Sequence, residues 1–484
     1  MEVLVDNVYN LIWSPAMIIF ISIVGIVFTL MTRFVQVRLI KDMLLQMLRG
    51  QGSDAGVSSF QAFAMALGNR VGTGNIAGVA TAIAYGGPGA VFWMWVLAFF
   101  GAATAYVEST LGQIYKTEQD GEYRGGPAYY IEKGIGWHWF ALIFAVSTAF
   151  ATSILMPGIQ GNAIASSFLQ AFSVEKWITG LLVIFLLGLI IFGGLKRIAR
   201  AAQLIVPFMS IIYIAVALII MLMNYDKIPE VFGLIFSSAF GANEVFGGII
   251  GSAISWGVQR GIYSNEAGQG SGPHHSSAAE VSHPAKQGLV QAFSVYVDTL
   301  LVCTATAFII LFSGTYNVYE PDGKTIMVQN IDPNVEVGPN YTQLAIDENI
   351  PGFGSPFVAL ALFLFAFTTI MAYYYMAEVN LVYLLRQRDK RLALFLLRVF
   401  FLAATMYGTL REAKFAWKLG DIGVGLMVWI NLIAISILFK PAIQALRDYE
   451  EQKKAGLDPV YNSTKLGVKN ADYWAEGYKE RKRA

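Results

Sequence analysis

Apolar residues fall into eleven runs along the 484-residue chain, each close to the roughly 20 residues that span a bilayer as a helix: 13–32, 58–85, 88–115, 137–170, 176–194, 200–223, 242–265, 287–313, 355–385, 391–411 and 416–439. Two of the runs carry polar residues and glycines where a simple span would not. The second contains Leu67-Gly68-Asn69-Arg70-Val71-Gly72-Thr73-Gly74-Asn75-Ile76, and the seventh leads into Ser255-Trp256-Gly257-Val258-Gln259-Arg260-Gly261-Ile262-Tyr263-Ser264-Asn265-Glu266-Ala267-Gly268. Glycine is a poor helix former, and bare backbone in lipid survives only where protein or a water-filled cavity satisfies it. The pattern therefore predicts two helices that unwind at mid-depth, which is how many secondary transporters build a solute site.

Composition agrees with a polytopic membrane protein: 56% of residues are hydrophobic and only 14% charged, with a mean hydropathy of +0.54. A net charge of +1 gives no reason to expect nucleic acid as a partner. The single cysteine, Cys303, excludes an intrachain disulfide framework.

Charge sets the expected orientation. The first run is followed, not preceded, by Arg33, Arg38 and Lys41, the wrong polarity for a cleavable signal peptide. Basic residues recur in alternate loops, at Lys116/Arg124/Lys133, Lys196/Arg197/Arg200, Lys286 and Arg386/Arg388/Lys390/Arg391, which places those loops and the C-terminus in the cytoplasm and the N-terminus outside. Only the Arg411/Lys414/Lys418 turn runs against this. Residues 1–57 then form an extra helix and a cytoplasmic segment, 58–223 and 242–439 two five-helix sets, and 440–484 a cytoplasmic helix with a disordered end. The two sets begin on opposite sides, so they read as inverted repeats, each opening with an interrupted helix. The 116–136 loop is expected to hold an amphipathic piece around Tyr129 and Ile131, and the 314–354 loop to be acidic and turn-rich.

Three stretches, Gly68-Asn69-Arg70-Val71-Gly72-Thr73-Gly74-Asn75-Ile76-Ala77-Gly78, Gly125-Gly126-Pro127-Ala128-Tyr129-Tyr130 and Gly261-Ile262-Tyr263-Ser264-Asn265-Glu266-Ala267-Gly268, resemble those of the alanine or glycine:cation symporters, the sodium:alanine symporters of the amino acid–polyamine–organocation superfamily. The resemblance runs over essentially the whole chain. It implies an all-α membrane protein of the leucine-transporter type, with a five-plus-five inverted repeat and one extra N-terminal helix, eleven spans in all. It also implies a sodium site in which the carbonyls of Gly68 and Val71 face the hydroxyls of Thr368 and Thr369. The alternative for that threonine pair is that both hydroxyls bond back to carbonyls one turn earlier.

An amino acid needs donors for its carboxylate and acceptors for its ammonium. N–H groups freed at Thr73, Gly74 and Asn75, at the start of a half-helix, suit the carboxylate. Carbonyls released near Trp256, Gly257 and Gln259, with the side chain of Asn75 or Gln160, suit the ammonium. Glycines leave little room for a large solute side chain unless Trp256 or Ile262 moves aside, which favours a small one. Gln160, in the Pro/Gly-loosened stretch Met156–Gly161, has an interhelical hydrogen bond as its plainer role.

Ionisable residues at membrane depth are functional candidates: Arg70, Glu108, Arg260, Glu266, Asp298, Glu378 and Asp421. The two arginines are expected to brace the interruptions by pairing with Glu108, Glu266 or Glu378; Asp298 reads as a second cation ligand or a proton site. The glycines around Gly72 lack the spacing and the preceding strand of a nucleotide loop. His274, His275 and His283 read as an exposed loop rather than a metal site. The run Tyr373-Tyr374-Tyr375 suits packing, cavity lining or an interfacial belt.

Taken with the resemblance, these residues imply a cytoplasmic-membrane symporter that couples inward sodium flow to uptake of a small neutral amino acid, alanine or glycine first. A glutamine or serine carrier of the same family, a proton-coupled carrier and an amino-acid channel are the alternatives, although no ring-forming filter motif occurs. No catalytic constellation argues for an enzyme.

Overall fold

Proline at the first helical turn, where its missing N–H costs nothing, opens many of the helices. The computed structural model describes residues 2–50, 52–386, 388–411, 413–475 and 478. Its principal helices are α1 (Pro15–Met31), α2 (Ser59–Arg70), α3 (Val79–Gly86), α4 (Gly89–Ile114), α5 (His138–Phe150), α6 (Pro157–Phe172), α7 (Lys176–Ile191), α8 (Gly194–Met223), α9 (Ile250–Asn265), α10 (Gly272–Ser277), α11 (Pro284–Val295), α12 (Thr304–Ser313), α13 (Gly354–Leu385), α14 (Arg391–Leu410) and α15 (Ala413–Lys454).

Among the described residues, eight helical stretches are long and apolar enough to cross a membrane, and α7 is a shorter apolar helix of 16 residues. They correspond to nine of the runs read from the sequence. The other two runs are the interrupted ones. α2 stops at Arg70 and resumes only at Thr73, with a π-helical turn Gly74–Gly78 leading into α3. α9 ends at Asn265, and α10 starts after an irregular stretch, 266–271.

The centre is built from α4, which packs against α9, α11 and α1, while α2 packs against α8 and α13, and α6 against α13 and α14. Close approach at the α6–α14 crossing is a glycine-on-glycine contact: a methyl on Gly158 would stand 3.1 Å from the Cα of Gly408, the small-residue packing that membrane helices favour. The outer faces are apolar as well. Leu204, Phe208 and Ile211 of α8 are largely exposed, as a lipid-facing surface requires.

The long loops and the tail carry more structure than the sequence suggested. The 116–136 segment folds as a hairpin, β1 (Thr117–Gln119) with β2 (Glu122–Arg124), closed by Asp120 and Gly121 at positive φ. A short helix Pro127–Tyr130 follows it, with Tyr129 and Ile131 buried rather than amphipathic. The 314–354 loop holds a second hairpin, β3 (Asn317–Tyr319) with β4 (Ile326–Gln329), and a helix Pro339–Asn349. The tail is not disordered over 455–475. Tyr461 N donates to Ser282 O (2.9 Å), Trp474 Nε1 donates to Gln113 O (2.8 Å), and both aromatic side chains are fully buried. Residues 479–484 of the expected disordered end lie outside the described residues.

Candidate transport site

The first interruption forms where Val71, Gly72 and Thr73 would otherwise extend α2. Asn75 holds it open: its Oδ1 accepts from Gly72 N (2.9 Å), and Gly72 O accepts from Asn75 N (3.3 Å). Thr73 N donates to Gln160 Oε1 of α6 (3.2 Å). Gln160 thus lies at the break, as expected from its sequence context. The break is tightly enclosed, since a methyl on Gly72 would stand 2.6 Å from Thr369 Oγ1 and 3.2 Å from Gln160 Oε1, and one on Gly74 would stand 3.0 Å from the Tyr263 ring.

Carbonyls freed by the break turn toward α13. Thr369 Oγ1 lies 2.9 Å from Gly68 O, 3.4 Å from Val71 O and 3.1 Å from Phe365 O of its own helix. One hydroxyl proton can satisfy one of those three acceptors, so the pocket has a surplus of oxygen lone pairs. Thr368 behaves differently. Its hydroxyl donates back to Leu364 O (3.2 Å) and Phe365 O (2.9 Å), the ordinary habit of a membrane threonine.

The second interruption falls later than the sequence suggested. α9 runs unbroken through Trp256, Gly257, Gln259 and Ile262, and the Ile262 carbonyl accepts from Glu266 N (2.9 Å), so the carbonyls expected to be released there are spent inside the helix. Gly257 and Gly261 serve packing instead. Methyls on them would stand 2.6 Å from Ala90 O and 2.7 Å from Leu97 Cδ2 of α4. Trp256 stacks on Tyr85 (5.1 Å), and Gln259 Nε2 donates to Tyr9 OH (2.6 Å). Unwinding begins at Glu266, in the left-handed region at φ 56°, followed by Gly268 and Gly270 at 86° and 83°.

A buried carboxylate replaces the helix hydrogen bonds lost there. Glu108 of α4 accepts from Gly268 N (3.2 Å), Gly270 N (3.1 Å) and Asn431 Nδ2 (2.8 Å), while Asn431 Nδ2 also donates to Gly268 O (2.9 Å). Side chains then tie one break to the other. Arg70 Nε donates to Asn265 O (2.6 Å), Asn69 Nδ2 donates to Glu266, and Asn75 Nδ2 donates to Asp298 Oδ1 (2.7 Å), whose second oxygen accepts from Ser264 Oγ and Thr299 Oγ1 (2.8 Å each).

This revises several roles. Asn75 is committed to Gly72 and Asp298, so its side chain is not a free acceptor for an ammonium. The expected arginine pairings also differ: Arg70 hydrogen-bonds a carbonyl, Arg260 pairs with Asp421 (3.1 Å), and Glu378 pairs with Arg124 (3.3 Å). His274, His275 and His283 are buried rather than exposed, His274 beside Asn380 (2.8 Å) and His283 beside Asp448 (3.1 Å). Tyr373, Tyr374 and Tyr375 are buried too, which excludes an interfacial belt.

Comparison with known proteins decides the family. The family model described as the sodium:alanine symporter family matches residues 1–463. The chain belongs to the sodium:alanine symporter family. Within that family it is 60% identical to a putative sodium/proton-dependent alanine carrier protein, YrbD, of Bacillus subtilis (strain 168), over 98% of both chains. It is 57% identical to a sodium/proton-dependent alanine carrier protein of Bacillus sp. (strain PS3), over 89% of this chain and 96% of the relative. Among solved structures, MhsT crystallised with L-phenylalanine superposes with a TM-score of 0.53 over 82% of this chain and 98% of that one, at 14% identity, a likeness of fold alone.

For this symporter-family chain, sequence reading missed Tyr263 and Ser264 on α9. The Thr73 and Tyr263 side chains meet across the break, both buried. Tyr263 also packs on Trp417 (5.3 Å). No local sequence signal marks Tyr263; its place beside Gly74 follows from the packing of α9 on the first break.

Proposed function

We propose that the chain is a sodium-coupled symporter that takes up a small neutral amino acid, alanine or glycine, by alternating access across the cytoplasmic membrane, with the N-terminus outside and the C-terminus in the cytoplasm. The observation that carries this reading is the convergence of the Gly68 and Val71 carbonyls on Thr369, one turn from the Thr73 N–H and Gln160. A cation bound between the carbonyls of the first interruption and Thr369 would join α2 to α13. The solute would then sit across the break beside Tyr263, its carboxylate toward the Gly74 amide and taking the place that Gln160 Oε1 now holds on the Thr73 amide; the Asn75 amide, bonded to the Gly72 carbonyl, is not one of its donors. Names of the relatives at 60% and 57% identity support alanine and both cations.

Counting α7 and the two interrupted segments as spans gives eleven, and the interrupted ones open two five-helix sets, 58–223 and 242–439, related as inverted repeats. One set rocking against the other about the shared site would open it to each side in turn. Cation binding to one conformer shifts the population toward it, and solute binding then favours closure.

Reconstituted carrier tests this. Labelled alanine is expected to accumulate above its external concentration when an inward sodium gradient is imposed, with alanine and glycine the strongest competitors. Preference for leucine, arginine or glutamine in the competition panel, or equilibration without accumulation, overturns it.

A further inference from the structure

The interior holds more acid than base. Arg260 and Asp421 pair with each other, which leaves Glu108, Glu266 and Asp298, all buried, around the single guanidinium of Arg70. Arg70 reaches none of the three directly: it donates to Asn265 O, Gln291 Oε1 (3.3 Å) and Ser294 Oγ. Among the described residues, no ion pair within 4.0 Å involves these carboxylates. An isolated ionised carboxylate in a low-dielectric interior is costly and takes up a proton or a cation when it can.

The hydrogen-bond partners separate the three. Glu108 faces two backbone N–H groups and an amide nitrogen, which can only donate, so a proton on it would meet donors. Glu266 receives the Asn69 amide and the Ser271 hydroxyl on one oxygen. Asp298 is arranged differently. Oδ1 accepts from Asn75 Nδ2, but both partners of Oδ2 are hydroxyls, Ser264 and Thr299, which exchange donor for acceptor by rotating. Ser264 Oγ also lies 3.1 Å from Cys303 Sγ, a second place to send its own proton once it accepts one from Asp298. The network satisfies both protonation states without moving a heavy atom. It also links Asn75, just beyond the first break, to Ser264, just before the second, so a change of charge at Asp298 is felt by both.

We propose that Asp298 is the proton site of this carrier, loaded from water on the outer side and emptied into the cytoplasm in the same cycle as the amino acid. This rests on the alanine-carrier reading and adds a second coupling ion, separate from the cation between Gly68, Val71 and Thr369. Charged and titratable groups facing Asp298 are Arg70 from α2, Glu266 after α9 and Cys303, which shares with Asp298 the π-helical stretch Tyr296–Cys303 between α11 and α12. Proton binding removes a negative charge beside Arg70 and changes the bonds that Asn75 and Ser264 make.

Full-length carrier in proteoliposomes gives the test, with a sodium gradient and an inside-alkaline pH gradient imposed separately. Accumulation under sodium alone checks the alanine-carrier reading by itself. Wild type is expected to accumulate alanine under the pH gradient also, and added alanine is expected to alkalinise a lightly buffered outer medium. In Asp298→Asn the pH-driven uptake should fall at least tenfold relative to the sodium-driven uptake of the same preparation, and the alkalinisation per alanine taken up should vanish; Asp298→Glu should recover pH-driven uptake. The proposal is overturned if Asp298→Asn still responds to the pH gradient, if wild type does not, or if the substitution lowers the order of sodium dependence by one, which makes Asp298 a sodium ligand. Should Asp298→Asn lose both modes while the purified protein still binds alanine with sodium, Asp298 is a structural tie and the proposal fails.

Discussion

Thr369 Oγ1 stands 2.9 Å from the carbonyl oxygen of Gly68, a residue 301 positions away in the chain. The contact exists because α2 ends where it does; in a continuous helix the Gly68 carbonyl would accept from the amide four residues on and be closed to α13. Thr368, one residue earlier, has its hydroxyl turned back onto its own helix. The two threonines should therefore separate in function. Thr369→Ala is expected to raise the sodium concentration for half-maximal uptake at least tenfold, about 1.4 kcal/mol of lost cation binding. Thr368→Ala is expected to change it less than threefold. Equal effects of the two substitutions on sodium-dependent uptake would place the cation elsewhere.

Gly72 lies where the break, Thr369 and Gln160 meet. A methyl there would enter the space of Thr369 Oγ1 at 2.6 Å, and that hydroxyl sits on a short β-branched side chain whose Cβ is itself only 3.4 Å away, so it has little room to swing aside. Overpacking of this kind costs about 1–3 kcal/mol. Gly72→Ala is expected to lower the melting temperature of the purified carrier and to abolish its upshift on adding sodium with alanine. A normal ligand-induced shift would mean that the break has more freedom than its contacts suggest.

Much of this was legible in the sequence, and the exceptions have physical causes. The first break could be located because Gly68, Gly72, Gly74 and two asparagines crowd into ten residues that should otherwise be apolar. The second was placed too early because Gly257 and Gly261 give the same signal for another reason: they let α9 approach α4. Spacing alone does not distinguish a glycine that unwinds a helix from one that seats it. The burial of His274 and His275 was hidden for a related reason, since Ser and Gly neighbours suggest solvent yet here admit close packing; a methyl on Gly126 would stand 2.7 Å from the His274 ring. Pairing of Asp298 with Ser264, 34 residues apart, follows from the packing of three elements that no local pattern encodes.

Glu108 completes the second break in place of a helix. Both its oxygens accept, one from Gly268 N and the other from Gly270 N and Asn431 Nδ2, so an amide in its position must turn an NH2 group toward an N–H donor. Glu108→Gln keeps the shape and should still cost about 1–3 kcal/mol of stability. Thermal unfolding in detergent reads this directly; a melting temperature equal to wild type would show that the 266–271 segment does not depend on this cap.

Arg260 and Asp421 pair at 3.1 Å with both side chains nearly sealed from solvent. Breaking one side of such a pair leaves a bare buried charge, a loss of about 3–5 kcal/mol, whereas replacing both with apolar residues can be nearly neutral. Arg260→Met and Asp421→Leu are each expected to be strongly destabilising, and the double substitution to recover most of the loss. The same cycle reads out function. If the double variant is stable and transports alanine, the pair braces α9 against α15 and takes no part in binding; if it is stable and inactive, Arg260 contributes to the solute path as well.

The tail makes a claim about topology that can be read by proteolysis. Trp474 is fully buried, bonded to the Gln113 carbonyl, and its ring lies 5.3 Å from Lys116 Nζ, so residues 458–474 are held against the end of α4. Lys465 and Lys469 are exposed on this segment, yet cleavage needs the surrounding backbone to open locally, and the rate follows the population of that open form. Trp474→Ala removes the anchor, and truncating a buried tryptophan costs about 3–5 kcal/mol. Trypsin is then expected to cut at Lys465 and Lys469 at least tenfold faster than in wild type. The proposed cytoplasmic C-terminus requires that acceleration to appear in inverted membrane vesicles and to be absent in right-side-out ones; the opposite pattern would reverse the orientation inferred from the basic loops.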